Sequence, residues 1–206
     1  MNTLIQPTVI EIGQSDLLDY ALTTGTAQQR LVREIKYRPD YDPRNDYWKR
    51  LRDRIAKMHQ QAEPLSVLDD LCKAVPTKKQ PNYQKAVAVY KRFMRNKTID
   101  WFKPVKRTWK HDDLLVSINP ELGLVINGTP HVIKLYFREQ PLMKDKTVGI
   151  IQLMESTLST YHPAETVYSI LDVPRNKLLT ATNAKQNMIL TMEAQALAFI
   201  YLYNRL

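Results

Sequence analysis

The sequence predicts an α+β fold: a basic N-terminal helical bundle, then a small mixed-sheet α/β core with two hairpins, and a long C-terminal helix. Apolar residues recur at helical spacing along much of residues 46–95, which predicts the bundle. β-rich runs flank Asn127-Gly128, a dipeptide that readily supplies the two positive-φ residues of a type I′ hairpin turn. Residues 183–203 carry apolar side chains on several sides, which predicts a helix that is buried or used in dimerisation. We therefore expect an N-terminal lead-in and helix (1–29), a basic helical region (30–112) and an α/β core (113–206).

The N-terminal elements follow from caps, proline breaks and apolar stripes. Residues 8–12 form a candidate edge strand, and Ser15 with Asp16 indicates the start of the first helix. Pro39 and Pro43 end the second helix, and Asp46 is the expected N-cap of the third. The predicted helices span residues 17–22, 27–37, 46–61, 65–75 and 83–95.

The C-terminal elements alternate between strand and helix. Strands 123–126 and 131–137 pair across the Asn127-Gly128 turn. Asp145 is the expected cap of a helix that runs to residue 160. A strand at 166–173 then turns through Pro174 into a second hairpin with residues 177–181, and Asn183 caps the last helix.

The composition argues against several classes of protein. The chain has 206 residues, 44% of them hydrophobic, which is enough for one sizeable domain or two small ones. The single cysteine, Cys72, excludes an intramolecular disulfide and Cys-rich zinc sites. The glycines are too scattered for a phosphate-binding loop, and the histidines lack metal-ligand spacing. Residues 1–13 do not resemble a signal peptide, and no apolar run reaches the roughly 18 residues of a membrane span, so we predict a cytoplasmic protein with no membrane partner.

The net charge of +9 is concentrated in one part of the sequence. Basic residues clearly outnumber acidic ones between Arg30 and Asp112, whereas residues 113–206 are balanced and residues 1–29 carry only acids. Such asymmetry is typical of a protein that binds a polyanion, most often DNA or RNA, and a solvated basic face is the alternative. The predicted nucleic-acid-binding side chains are Arg38, Arg44, Lys49, Arg50, Arg52, Arg54, Lys57, Lys78, Lys79, Lys91, Arg92 and Arg95.

Lys134 is an unusual residue for its position. In strand 131–137 it lies among apolar neighbours, on the same face as Val132 and Tyr136. An unpaired ammonium is costly to bury, so Lys134 must reach solvent, pair with an acid or line a site. Glu121, which follows Pro120 in the bend before the hairpin, is an acid that could pair with it.

A proline-acid bend, a hairpin and a strand with a lysine, followed by a helix, resemble the core of the PD-(D/E)XK nuclease superfamily over residues 112–172. The resemblance implies that Glu121 is the first metal-binding acid and that Lys134 orients or activates the attacking water. It also implies that Gln152, on the following helix, contacts nucleic acid, although the tyrosine that accompanies this glutamine in the RecB-like branch is absent. The second metal-binding acid of the family is replaced by Val132, and His131 faces the other side of the strand.

Three functions remain open. The missing acid favours a nucleic-acid-binding protein with a degenerate nuclease-like core, acting without a cofactor as a non-catalytic binding or assembly subunit. The alternative is a metal-dependent endonuclease or exonuclease with Glu121, Lys134 and Gln152 as site residues. Its Mg²⁺ or Mn²⁺ would need Glu121 and a borrowed acid, for which the cluster His111-Asp112-Asp113 is a candidate. The third is a protein-interaction adaptor without nucleic acid, and a homodimer or larger protein complex is a further expected partner.

Overall fold

The computed structural model describes residues 9–181 and 187–206 and has the α+β fold that the sequence predicts. The helices are α1 (Gln14–Leu22), α2 (Thr26–Tyr37), α3 (Lys49–Gln60), α4 (Val67–Ala74), α5 (Gln80–Met94), α6 (Lys144–Leu158) and α7 (Ile189–Arg205). The strands are β1 (Ile10–Gly13), β2 (Ile99–Phe102), β3 (Arg107–His111), β4 (Leu114–Ile118), β5 (Leu122–Ile126), β6 (Thr129–Tyr136), β7 (Val167–Asp172) and β8 (Lys177–Thr180).

The strands form two mixed sheets. A three-stranded sheet has the order β1-β4-β3, and a five-stranded sheet has the order β2-β5-β6-β7-β8. The predicted β5–β6 hairpin is confirmed, because Asn127 and Gly128 have φ angles of 50° and 86°. β7 pairs in parallel with β6 after the α6 crossover, and β8 returns antiparallel as the second predicted hairpin.

The two faces of the five-stranded sheet bury two hydrophobic clusters. Side chains alternate along β6, so Val132 and Tyr136 belong to one cluster and Ile133 and Phe137 to the other. The first cluster joins the sheet to α1, α2, α6 and α7, whereas the second joins it to α3, α4 and α5. A residue's position in β6 therefore decides which set of helices it meets.

Strands on the two sides of the predicted boundary at residue 113 pair with one another. β2 and β3 both come from the region predicted to be helical, and they pair with β5 and β4. Only α3, α4 and α5 stack on one another there, since α2 packs instead against α7. Trp101 and Trp109 lie in these strands, where aromatic side chains fit well.

The start of α3 differs from the prediction. The helix begins at Lys49 rather than after Asp46, and Trp48 occupies the N-cap position. Asp46 instead accepts a hydrogen bond from the backbone N–H of Trp48 (3.2 Å) and binds Arg52 with its other oxygen. Aspartate commonly bonds to the backbone two residues ahead, which makes a turn rather than a helix cap.

The C-terminal helix is only partly buried. Its inner side packs Met192, Ala196 and Phe199, while Leu190 and Tyr201 are exposed on its outer side. An interface there stays a prediction, and the predicted cap Asn183 lies outside the described residues. None of the helices in the described ranges is both long enough and apolar enough to cross a bilayer.

Candidate functional site

Glu121 and Lys134 meet where the chain passes from one sheet to the other. β4 ends at Ile118 in the three-stranded sheet, Pro120 turns the chain, and β5 begins at Leu122 in the five-stranded sheet. The Lys134 ammonium donates to the Glu121 carboxylate at 2.8 Å (Nζ to Oε1). The structure thus brings together the two residues that the sequence proposed as a pair.

The Lys134 ammonium is fully engaged. Besides Glu121, it donates to both the backbone carbonyl oxygen and the side-chain Oδ1 of Asn119, each at 3.2 Å. An ammonium has three N–H donors, and these three acceptors account for all of them. With only 7% of Lys134 exposed, this arrangement is that of a satisfied buried charge.

Both oxygens of Glu121 are also in use. Oε1 receives the Lys134 bond, and Oε2 accepts the backbone N–H of Leu135 at 2.8 Å. β5 pairs with β6 only as far as Leu122 opposite Ile133, so Leu135 lies beyond its last partner on that strand. The Glu121 carboxylate therefore supplies the acceptor that the missing strand residue would have provided.

A second cation, Arg52 of α3, extends this cluster toward the surface. Its Nε lies 3.6 Å from Glu121 Oε1, and its guanidinium binds Asp46, which also accepts the hydroxyl of Tyr41 at 3.0 Å. Burial alone would lower the pKa of Arg52, but the bond to Asp46 and the charge of Glu121 outweigh it and raise the pKa. Burial would likewise raise the pKa of Asp46, yet the Arg52 bond and charge lower it. Arg52 is thus part of a partly buried ion network rather than a free, solvent-facing base.

These residues do not fit a Mg²⁺ or Mn²⁺ ion. One carboxylate stands between two cations, whereas such ions are held by several oxygen ligands. Val132 is completely buried, and within residues 9–181 and 187–206 no three His, Cys, Asp or Glu side chains could hold a metal together. Asp113 precedes β4 and Glu121 follows it, so roughly 20 Å of extended chain separates the acid that might be borrowed from the pair.

Gln152 contacts the segment that leads into α7. It lies on α6, and its Oε1 accepts the backbone N–H of Met188 at 2.7 Å, directly before α7. This hydrogen bond connects two helices of the first hydrophobic cluster. The described bonds of Glu121 and Lys134 go to other residues.

The predicted nucleic-acid-binding residues fall into two groups. Six of them form ion pairs with nearby acids: Arg38 with Asp16, Arg44 with Asp42, Lys49 with Asp53, Arg52 with Asp46 and Glu121, Arg54 with Glu63, and Lys91 with Asp69. The other residues form no ion pair anywhere in the described chain: Arg50, Lys57, Lys78, Lys79, Arg92 and Arg95. All of the second group except the half-buried Lys79 are exposed.

A cleft opens at the same end of β6 on the side of α3 and α5, and sequence reasoning missed it. It has a volume of about 390 Å³, and its walls include Tyr47, Trp48, Ala86, Val89 and Phe137. Because these residues come from the approach to α3, from α5 and from the end of β6, no single segment of the sequence signals it. We call it the aromatic cleft.

Each side of the sheet buries an ionisable group with a perturbed pKa. Burial lowers the pKa of His59, whose Nε2 lies 2.7 Å from the Tyr90 hydroxyl in the second cluster, to about 4. On the other side, burial raises the pKa of Asp19 to about 6, although the charge of Arg138 opposes that shift. Asp172 at the end of β7 is likewise buried, and it pairs with Arg175 at 3.2 Å.

Comparisons of the chain with protein-family models, with curated proteins and with solved structures gave no match. Its function therefore has to be inferred from its own residues and their geometry.

Proposed function

We propose that this protein binds nucleic acid through exposed cations of α3, of α5 and of the turn before α5, and that it does not cleave the nucleic acid. The observation that carries the proposal is that five cations are exposed on α3, on α5 or directly beside α5 without an ion-pair partner among the described residues: Arg50, Lys57, Lys78, Arg92 and Arg95. Exposed cations of this kind are available to phosphates, and each phosphate contact releases counterions and adds salt-dependent affinity.

The local acids do not neutralise these cations. Asp53 is held by Lys49, Glu63 by Arg54, and Asp69 by Lys91. The positive charge that remains after these pairs is therefore a surplus on the surface of α3, α5 and the turn before α5. A chain with a net charge of +9 concentrated in this way is suited to a polyanion.

The Glu121–Lys134 pair supports binding without cleavage. A lysine that activates water needs a free proton site, and a metal site needs a second carboxylate. Lys134 has all three donors engaged, and Val132 is buried where the family's second acid would stand. We infer that the pair closes the corner between the two sheets.

The proposal is tested by fluorescence anisotropy with labelled DNA and RNA strands at several salt concentrations. We expect the triple variant Arg50→Gln/Arg92→Gln/Arg95→Gln to weaken binding at least about tenfold and to reduce the slope of log Kd against log salt by about 2.

A matched control removes the same charge from residues that are already paired. Arg30, Arg44 and Lys73 are exposed, and each binds an acid of its own region. We expect Arg30→Gln/Arg44→Gln/Lys73→Gln to change affinity much less. Equal losses in the two triple variants would refute binding by the unpaired cations, and failure of the unmodified protein to bind at low salt would favour the protein-interaction adaptor.

Nuclease activity is a second candidate function, because Glu121 and Lys134 do meet at 2.8 Å beside a hairpin, a crossover helix and a parallel strand. We expect no cleavage of single-stranded or duplex substrates with Mg²⁺ or Mn²⁺ compared with EDTA. Metal-dependent products that co-purify with the protein and disappear in Glu121→Gln would overturn the non-catalytic proposal.

A further inference from the structure

We propose that the aromatic cleft receives an unpaired base of a single-stranded nucleic acid, so that single strands are preferred over duplexes. This inference rests on the proposed function and names the form of nucleic acid that the protein recognises. It is carried by the shape and the aromatic walls of the cleft and by the positive charge near it.

The size of the cleft suits a small planar group. Its volume of about 390 Å³ lies within the range of about 300–1,000 Å³ that is typical of pockets for small molecules. The cleft lies between α5 and the end of β6. A base that is paired and stacked in a duplex must leave the stack to enter such a cleft. Proteins that bind single strands commonly place bases against aromatic side chains.

The aromatic wall is held rigidly before any ligand arrives. Trp48 is stacked between Tyr83 and Phe137, with ring centroids 5.3 and 4.9 Å apart and nearly parallel planes. Tyr47 meets Trp48 edge to face, and the Asn82 amide donates to the Tyr47 hydroxyl at 3.0 Å. A wall that is already ordered loses little conformational entropy when it binds, which favours affinity.

Positive charge near the cleft suits the phosphates on either side of such a base. Lys79 Nζ lies 4.7 Å from the Tyr47 ring centroid, and it forms no ion pair with any described residue. Burial raises the pKa of Tyr83, and Arg50 is close enough for its charge to oppose that shift. Lys85 lines the cleft and binds Glu139 at 3.4 Å in a largely exposed pair that a phosphate can replace.

The test compares three ligands of about 20 nucleotides: a labelled single strand, its duplex, and a strand whose bases are replaced by abasic spacers. We expect the single strand to bind about tenfold or more tightly than either of the others. The spacer strand keeps the phosphates, so it still binds in a salt-dependent way if the proposed function is right.

The variants Val89→Trp and Ala88→Trp then distinguish binding in the cleft from binding on the exposed surface of α5. Val89 lines the cleft, whereas Ala88 is its exposed neighbour, so the two variants add the same ring inside and outside. Val89→Trp should reduce the affinity for the single strand to that for the spacer strand, and Ala88→Trp should leave it unchanged. Tyr47→Leu, which removes a wall residue instead of filling the space, should reproduce the loss.

Two results would overturn the inference while leaving nucleic-acid binding intact. One is equal affinity for the single strand and the spacer strand, and the other is an equal effect of Val89→Trp and Ala88→Trp. Absence of salt-dependent binding to all three ligands would instead remove the proposed function and the inference with it. Circular dichroism of each variant confirms that a loss of affinity comes from a folded protein.

Discussion

Two regions near the end of β6 use charged side chains in opposite ways. At the corner between the two sheets, Lys134 is buried and Glu121 is partly buried, and their hydrogen-bonding groups bind Asn119, Leu135 and each other. On the side of α3 and α5, the walls of the aromatic cleft are apolar, and Lys85 and Arg138 border it at exposed positions. The first arrangement is suited to holding a corner of the fold, and the second is suited to receiving a ligand.

The difference shows why an unusual residue need not be a functional one. A lysine in an apolar strand demands an explanation, but its buried partners already provide one. The sequence predicts binding for many cations of α3 and α5 alike, and the structure distinguishes the exposed ones that have no ion-pair partner among the residues described. A charge is informative about binding when the folded chain leaves it unpaired.

The largest expected effect concerns the buried pair. We predict that Lys134→Met lowers the free energy of unfolding by about 3–5 kcal/mol, because it leaves Glu121 and the Asn119 oxygens buried without their donor. Urea denaturation followed by circular dichroism measures the change.

The matched control for this variant is Lys85→Met, which removes the lysine of the largely exposed pair with Glu139. We expect a change within about 0.5 kcal/mol there. If the two variants were equally mild, Lys134 would not be a structural clamp, and a role in chemistry would have to be reconsidered.

The next effect is a pH dependence of stability that comes from the face of the sheet covered by α3, α4 and α5. The pKa of His59 is lowered from 6.5 to about 4 by burial, so the unfolded chain binds the proton more readily between these values. The contribution of neutral His59 to stability is present above pH 6.5 and is lost as the pH falls through about 4. We predict that the stability difference between the unmodified protein and His59→Gln shrinks by up to about 3 kcal/mol from pH 6.5 to 4.

The opposite face gives a pH dependence of opposite sign. Burial raises the pKa of Asp19 from 3.8 to about 6, so here the folded chain binds the proton more readily. The contribution of Asp19 to stability is fully present below pH 3.8 and is lost as the pH rises through about 6. We predict that Asp19→Asn gains in stability relative to the unmodified protein by up to about 3 kcal/mol over that interval. A constant difference between pH 4 and 6 would mean that Arg138 keeps Asp19 ionised throughout.

The Glu121–Lys134 contact could be predicted from the sequence. A two-residue turn at Asn127-Gly128 fixes Ile126 opposite Thr129, and counting back along both strands places Glu121 beside Lys134. The position of Arg52 in the same network was not within reach, because the charge pattern of α3 gives no information about a partner in a distant bend. The aromatic cleft was hidden for the same reason, since Trp48 and Phe137 become neighbours only when α3 packs on the sheet.

The smallest expected effect distinguishes two roles for Gln152, which are joining α6 to α7 and contacting nucleic acid. If its role is to join α6 to α7, Gln152→Ala should cost about 1 kcal/mol of stability, because the Met188 N–H loses its acceptor, and should change affinity for nucleic acid less than about twofold. Gln84→Ala, at an exposed position of α5, controls for the loss of a helical glutamine and should change neither quantity. A tenfold loss of affinity in Gln152→Ala with unchanged stability would contradict this assignment. It would mean that nucleic acid reaches the side of the sheet that α6 and α7 cover, and not only the cations of α3 and α5.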